Sequence, residues 1–170
     1  PLVGRIAAYN IVAAAATAVS LDISFSGIEE GVRRFTGVSG RMEKVSSDCD
    51  DDLMVMIDFA HTNDALRGLL EAVRPLTCGQ LETVFGCGGD RDAVKRPLMG
   101  AVAANMSDKV VLTSDNPRSE QPLDIIADIA RGLLDTKTPY VTIPDREEAI
   151  VRAIVEANSG DVVVIAGKGH

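Results

Sequence analysis

The sequence contains no tryptophan, and aromatic residues make up only 4 % of it. A core built from it must therefore be aliphatic. The hydrophobic content of 46 %, carried mainly by Val, Ile, Leu and Ala, is enough to supply one. Basic residues are outnumbered, 17 Lys and Arg against 25 Asp and Glu, and the net charge is −8 with no basic block. Nucleic acid and anionic membrane surfaces are poor partners for such a chain, and the acidity serves solubility. No apolar run approaches the ~18 residues of a membrane helix. Pro1-Leu2-Val3-Gly4 is not a basic region followed by an apolar one, so no signal peptide is expected. Cys49, Cys78 and Cys87 form neither a metal spacing nor an even disulfide set. Free thiols in a reducing, cytoplasmic compartment are expected. Neither histidine has a second ligand at a metal-binding spacing, so no metal site is expected.

What the chain does have is an alternation of apolar runs and amphipathic stretches. Residues Tyr9 to Val19 are Ala-rich and predict a helix. A shorter one is expected from Gly27 to Phe35, with Ile28, Val32 and Phe35 on one face. Thr36-Gly37-Val38-Ser39-Gly40 interrupts the pattern and is a hinge candidate. Beyond it, Leu53–Ile57, Leu81–Phe85, Val110–Leu112, Tyr140–Ile143 and Val162–Ile165 read as buried strands, with Met42–Val45 as an additional one. Leu66, Leu69, Leu70 and Val73 share a helical face. So do Leu98, Val102 and Met106, and likewise Ile125, Ile126, Ile129 and Leu133. Asp145 is an N-cap candidate with Glu148 three residues on, ahead of Ala149, Ile150, Ala153 and Ile154. Strands alternating with helices imply βαβ units with right-handed crossovers. The fold class is α/β: a Rossmann-like, mainly parallel sheet with flanking helices from about Gly40 onward, preceded by a short helical remnant of another domain.

Two turns in this pattern carry polar chemistry. Asp115-Asn116-Pro117-Arg118 follows the strand at Lys109–Thr113 and precedes a helix expected from Leu123 to Leu134. Pro117 fixes its own φ and biases Asn116 toward an extended conformation. Asp115 can accept from an ammonium, Asn116 can donate and accept, and Arg118 offers a planar fork suited to a carboxylate or phosphate. The carboxyl end of a strand is where open α/β sheets place ligands. The same four residues also make an ordinary strand-to-helix turn. The second segment, Phe85-Gly86-Cys87-Gly88-Gly89-Asp90-Arg91-Asp92, also follows a strand, and Lys95-Arg96-Pro97 opens the next helix. Arg91 is either a solvated cation paired with Asp90 or Asp92, or a carboxylate ligand. The glycines do not make a dinucleotide fingerprint, whose third glycine would fall at Arg91. Gly167-Lys168-Gly169 is not a phosphate loop either, because position 162 is Val and no Ser or Thr follows the lysine.

Six segments, in order, carry a likeness to a known family: Gly4-Arg5-Ile6-Ala7-Ala8-Tyr9-Asn10, Gly40-Arg41-Met42-Glu43, Asp58-Phe59-Ala60-His61-Thr62, Gly88-Gly89-Asp90-Arg91-Asp92, Asp115-Asn116-Pro117-Arg118 and Ala166-Gly167-Lys168-Gly169-His170. Together they resemble the Mur ligases of peptidoglycan synthesis, most of all the kind that adds meso-diaminopimelate to UDP-N-acetylmuramoyl-L-alanyl-D-glutamate. The resemblance implies an ATP-dependent, amide-bond-forming ligase. With ATP and Mg²⁺ such an enzyme makes an acyl phosphate on the D-Glu carboxylate, which the amine of the incoming amino acid attacks. The partners implied are the UDP-N-acetylmuramoyl-dipeptide, meso-diaminopimelate and ATP. Residues 1–39 would end the central ATP-binding domain, and 40–170 would form the amino-acid-binding C-terminal domain, truncated at its end.

By the same resemblance Arg91, Asp115, Asn116, Pro117, Arg118 and Gly167 bind meso-diaminopimelate. Asn10, Arg41, Asp58 and His61 face the nucleotide, and the fragment carries no catalytic residue and no metal ligand. His61 equally fits a capping or hinge-contact histidine ahead of a helix. Ala7 stands where the family has a second Asn, Ile6 where it has Phe, and Asn63 where it often has Pro. The start inside one family motif and the stop after the Gly-Lys-Gly turn predict a piece excised from a longer protein, inactive alone for want of a phosphate loop. A lysine-adding ligase and a non-catalytic scaffold that keeps the fold are the alternatives. Asn116 favours diaminopimelate, and the intact Arg91 and Arg118 favour a working ligase.

Overall fold

A computed structural model describes residues 4–45 and 53–169. Cys49 and His170 lie outside the described residues. The chain divides into two compact units, Pro1–Val38 and Ser39–His170.

The first unit holds α1 (Gly4–Ser20) and α2 (Phe25–Arg34). α1 begins earlier than expected, since the stretch ahead of Tyr9 contains no helix breaker beyond its first residue, Gly4. α2 starts at Phe25 rather than Gly27 because the Ser24 hydroxyl accepts the Gly27 amide at 3.2 Å and caps the helix. It stops at Arg34. Phe35 is extended and so does not continue the face of Ile28 and Val32.

The second unit is built on a six-stranded sheet of β1 (Glu43–Val45), β2 (Met54–Asp58), β3 (Leu81–Phe85), β4 (Lys109–Leu112), β5 (Tyr140–Thr142) and β6 (Val162–Ala166). The spatial order is β1-β2-β6-β3-β4-β5. All pairings are parallel except that of β1, which runs antiparallel along β2 at the edge. β3 and β6 sit in the middle and are buried along their whole length; β6 is an uninterrupted apolar run, while β3 carries Glu82 and Thr83 within it. α3 (Asn63–Val73), α4 (Lys95–Met106) and α5 (Pro122–Ala130) cover one face, where Leu66, Leu70, Met99 and Ile129 pack with Phe85 and Leu112. α6 (Arg146–Glu156) covers the other with Ala149 and Ala153 against Val84, Val111 and Val163. α6 leads from β5 at one edge back to β6 in the centre, so the sheet has a switch point beside β6.

Thr62 caps α3 and Asp145 caps α6; the Asp145 carboxylate takes the Glu148 amide at 2.8 Å. Leu98 departs from expectation. It is 49 % exposed, and the buried face of α4 runs through Arg96, Met99, Val102 and Ala103. A cation inside the stripe displaced the apolar pattern by one position. The α5 helix ends at Ala130 and continues as a 3-10 turn, Arg131–Leu133, where Gly132 lies against the Pro97 carbonyl. Among the described residues no helix is long and apolar enough to cross a membrane.

Candidate functional site

The carboxyl ends of β6, β3 and β4 lie side by side, with Val84 beside Ile165 and Phe85 beside Leu112. The loops that leave them are packed backbone to backbone. A Cβ on Gly86 would sit 2.2 Å from the Thr113 carbonyl oxygen, and one on Gly89 only 1.9 Å from that of Pro117. Gly167 has φ +95°, and a Cβ there would meet the Gly86 carbonyl oxygen at 3.1 Å and Asp115 Oδ2 at 4.0 Å. These glycines let three loops approach where any side chain would hold them apart.

Hydrogen bonds join the loops across this seam. The Gly89 amide donates to the Asn116 carbonyl at 2.9 Å. Arg118 Nη1 donates to the Gly89 carbonyl at 2.6 Å. The Asp90 carboxylate takes the Ser119 hydroxyl at 2.7 Å and the Ser119 amide at 3.1 Å, bonds that hold it below the usual carboxylate range. Asp90 and Arg118 both have φ +51°, the left-handed region that non-glycine residues rarely occupy. Such conformers cost on the order of 1–3 kcal/mol each and cluster where a ligand is clamped.

Arg91, Asp115, Asn116, Pro117, Arg118 and Gly167 thus come together at the ends of adjacent strands. Arg91 is exposed, and neither Asp90 nor Asp92 pairs with it among the described residues: Asp90 holds Ser119, and Asp92 takes the Val94 amide at 2.9 Å. Arg118 spends one nitrogen on Gly89 and keeps the rest of its fork.

A second group lies one strand away, at the end of β2, where Asp58 pairs in register with Ala166. Asp58 Oδ2 takes the Met42 amide at 2.8 Å and Oδ1 the Ala60 amide at 2.7 Å. Its carboxylate is oriented, with lone pairs to spare. The Arg41 guanidinium lies 4.7 Å above the Phe59 ring, and the His61 ring meets the same ring edge-on at 4.8 Å. His61 Nδ1 lies 3.0 Å from the Phe59 carbonyl, and Thr62, not His61, caps the following helix. Lys95 Nζ, at the start of α4, donates to the His61 carbonyl at 2.7 Å. Gly40 and Gly169 touch through their backbones, so the end of the Thr36–Gly40 segment rests on the Gly167–Gly169 turn. Asn10 is exposed on α1, in the first unit. The described residues offer no group of three His, Cys, Asp or Glu side chains that could hold a metal ion.

Sequence reasoning missed three supporting residues. Arg146 Nη2 donates to the Ala166 carbonyl at 3.0 Å and Nη1 to the Ser114 carbonyl at 3.4 Å, tying the ends of β6 and β4. Burial pushes its guanidinium below the ordinary arginine range, with Asp115 opposing. Arg96, buried in α4, donates to Glu120 at 2.7 Å and to Asp128 of α5 at 3.0 Å, and the Glu120 bond raises its basicity further. Glu120 Oε1 also takes the Asp90 amide at 2.6 Å.

The profile of the family described as "Mur ligase, glutamate ligase domain" matches residues 40–169. The chain is 52 % identical over 170 residues to the UDP-N-acetylmuramoyl-L-alanyl-D-glutamate–2,6-diaminopimelate ligase of Gloeobacter violaceus, covering all of this chain and 34 % of that protein. A solved structure bearing the same enzyme name is 41 % identical with a TM-score of 0.72, again over the whole chain and 34 % of its own. The UDP-N-acetylmuramate-alanine ligase of Thermotoga maritima, at 21 % identity and TM-score 0.73 over 99 % of this chain and 36 % of that one, shares the fold. The chain spans about a third of the length of the curated relatives it matches.

Proposed function

The chain belongs to the Mur ligase family, and from that premise we propose that it is part of an ATP-dependent ligase that joins meso-diaminopimelate to UDP-N-acetylmuramoyl-L-alanyl-D-glutamate. The part described here binds the incoming amino acid and closes over the nucleotide in the cytoplasm. The observation that carries this reading is the seam of three loops around Arg91, Asp115, Asn116 and Arg118, which offers two cations and an acceptor at one strand-end crevice. A zwitterionic amino acid with two ends needs such a mixed set: an acceptor for an ammonium and a forked donor for a carboxylate.

The group at β2 fits a nucleotide in its chemistry. Arg41 is exposed and forms no ion pair among the described residues, and Asp58 is fixed by two amides with capacity to accept hydroxyl donors. ATP, when bound, supplies the phosphoryl group that activates the acceptor carboxylate. These residues orient and screen it. Mg²⁺ has no cage of its own among them. This unit therefore contributes positioning, a term that can be worth several kcal/mol of barrier. The 170-residue chain alone, which lacks a phosphate loop, is expected not to turn over ATP.

The test is phosphate release by the full-length protein with ATP and the UDP-linked dipeptide, adding meso-diaminopimelate or lysine. Release that depends on meso-diaminopimelate supports the reading. Release with lysine alone, or with neither amino acid, overturns it.

A further inference from the structure

We infer that Glu120, held by Arg96, is a positioning residue that latches the loop carrying Arg91 onto the turn carrying Arg118. This rests on the amino-acid subsite proposed above and adds to it the device that sets the subsite's geometry.

The two loops leave adjacent strands and are joined near Gly89 by the Asn116 carbonyl and the Arg118 guanidinium. Glu120 Oε1 ties them again, next to Arg91. It accepts the Asp90 amide at 2.6 Å and the Arg96 guanidinium at 2.7 Å. Arg96 is a rigid post: it is 2 % exposed, sits in α4, and is braced by Asp128 from α5. An arginine stays charged at any working pH, so Glu120 stays ionised beside it. Among the described residues Arg96 Nε has no partner, so its two bonded nitrogens carry the anchorage. From this post the chain of bonds runs through the Asp90 backbone, then the Asp90 carboxylate, to Ser119.

Asp90 directly precedes Arg91. Arg91 makes no hydrogen bond or ion pair among the described residues, so only the backbone beneath it sets its direction. A buried ion pair is by itself weak evidence of a stabilising role. Here the carboxylate does a second task, holding the amide of a residue in a left-handed conformation next to an unpaired arginine. Misplacing a binding group by about 1 Å can cost up to about a hundredfold in rate.

The experiment is steady-state kinetics of the full-length protein with Glu120→Ala, Glu120→Gln and, as a control for the subsite itself, Arg118→Ala. Glu120→Ala is expected to raise KM for meso-diaminopimelate about tenfold or more, within the range that misplacement allows, while KM for ATP stays put. Glu120→Gln keeps an acceptor for the Asp90 amide and is expected to restore most of the loss. A Glu120→Ala protein whose two KM values rise together, or whose kinetics match the wild type, overturns the inference. If Arg118→Ala loses activity toward meso-diaminopimelate and Glu120→Ala does not, the latch fails and the subsite stands. If Arg118→Ala changes nothing, the subsite fails and the latch with it. Should Glu120→Ala not fold, Glu120→Asp carries the same expectation, since it keeps the charge but is one methylene too short to hold both the Asp90 amide and Arg96. A wild-type KM in Glu120→Asp then overturns the inference.

Discussion

Arg118 Nη1 donates to the Gly89 carbonyl at 2.6 Å, so the side chain that ends one loop is anchored in the loop beside it. The same two segments are joined again by Gly89 N to Asn116 O at 2.9 Å. The crevice is therefore one hydrogen-bonded surface, and its parts respond together when one of them changes.

Gly100 tests the packing that supports it. In mid-helix, alanine gains about 1 kcal/mol of propensity over glycine. A Cβ at this site, however, would stand 2.2 Å from the Ile129 carbonyl oxygen and 3.0 Å from Leu133 Cδ1. The first of these is backbone, which no rotamer change relieves, and overpacking costs typically about 1–3 kcal/mol. The clash outweighs the propensity, so Gly100→Ala lowers the urea midpoint. A raised midpoint would show that α4 and α5 are further apart than described.

The cysteines differ in reactivity. Cys87 is 3 % exposed, with Sγ 3.7 Å from Met99 Sδ, and burial pushes its thiol up to about 11. At pH 8 roughly one thiol in a thousand would be ionised. Cys78 is exposed. Iodoacetamide at pH 8 should alkylate Cys78 in the native protein and Cys87 only after denaturation, as read by peptide mass spectrometry. Native labelling of Cys87 would contradict the packing.

Much of the fold was legible because its signals are local. β6 announces itself as an apolar run, since both its faces are covered. The Asp145 cap lies three residues from its partner, and Pro117 marks its turn. The supports of the site were not legible. Arg96 lies on an apolar face, where a cation reads as the edge of the stripe. Arg146 reaches carbonyls 20 and 32 residues away. The Asp90–Glu120 bond spans 30 residues. No period or motif encodes pairings of that range; they follow from the strand order, which brings β6, β3 and β4 together.

The latch also predicts an acid response. The Arg96 guanidinium first, and then the Asp90 amide, hold the Glu120 carboxyl below its ordinary range. The folded value is depressed, so the stabilisation is fully present above the unfolded value of about 4.3 and is lost as pH falls through the lower folded value. The difference in urea midpoint between the wild type and Glu120→Gln should be constant from about pH 7 to 5 and shrink below about pH 4. A difference that persists unchanged to about pH 3 would mean that Glu120 is not ionised in the folded protein.

The most direct test of the account is the selectivity of Arg118 variants of the full-length protein. Meso-diaminopimelate differs from lysine by a second carboxylate, and a site that binds it must pair that group. Removing one partner of a desolvated Arg–carboxylate pair costs about 2–5 kcal/mol, a loss of roughly thirtyfold or more. Arg118→Ala should lower kcat/KM for meso-diaminopimelate by that factor and change lysine use far less. Arg118→Lys can still reach Gly89 but lacks the planar fork, so it should not restore the loss. Equal losses for the two amino acids, or full recovery in Arg118→Lys, would show that Arg118 only holds the loops together and that the second carboxylate is bound elsewhere.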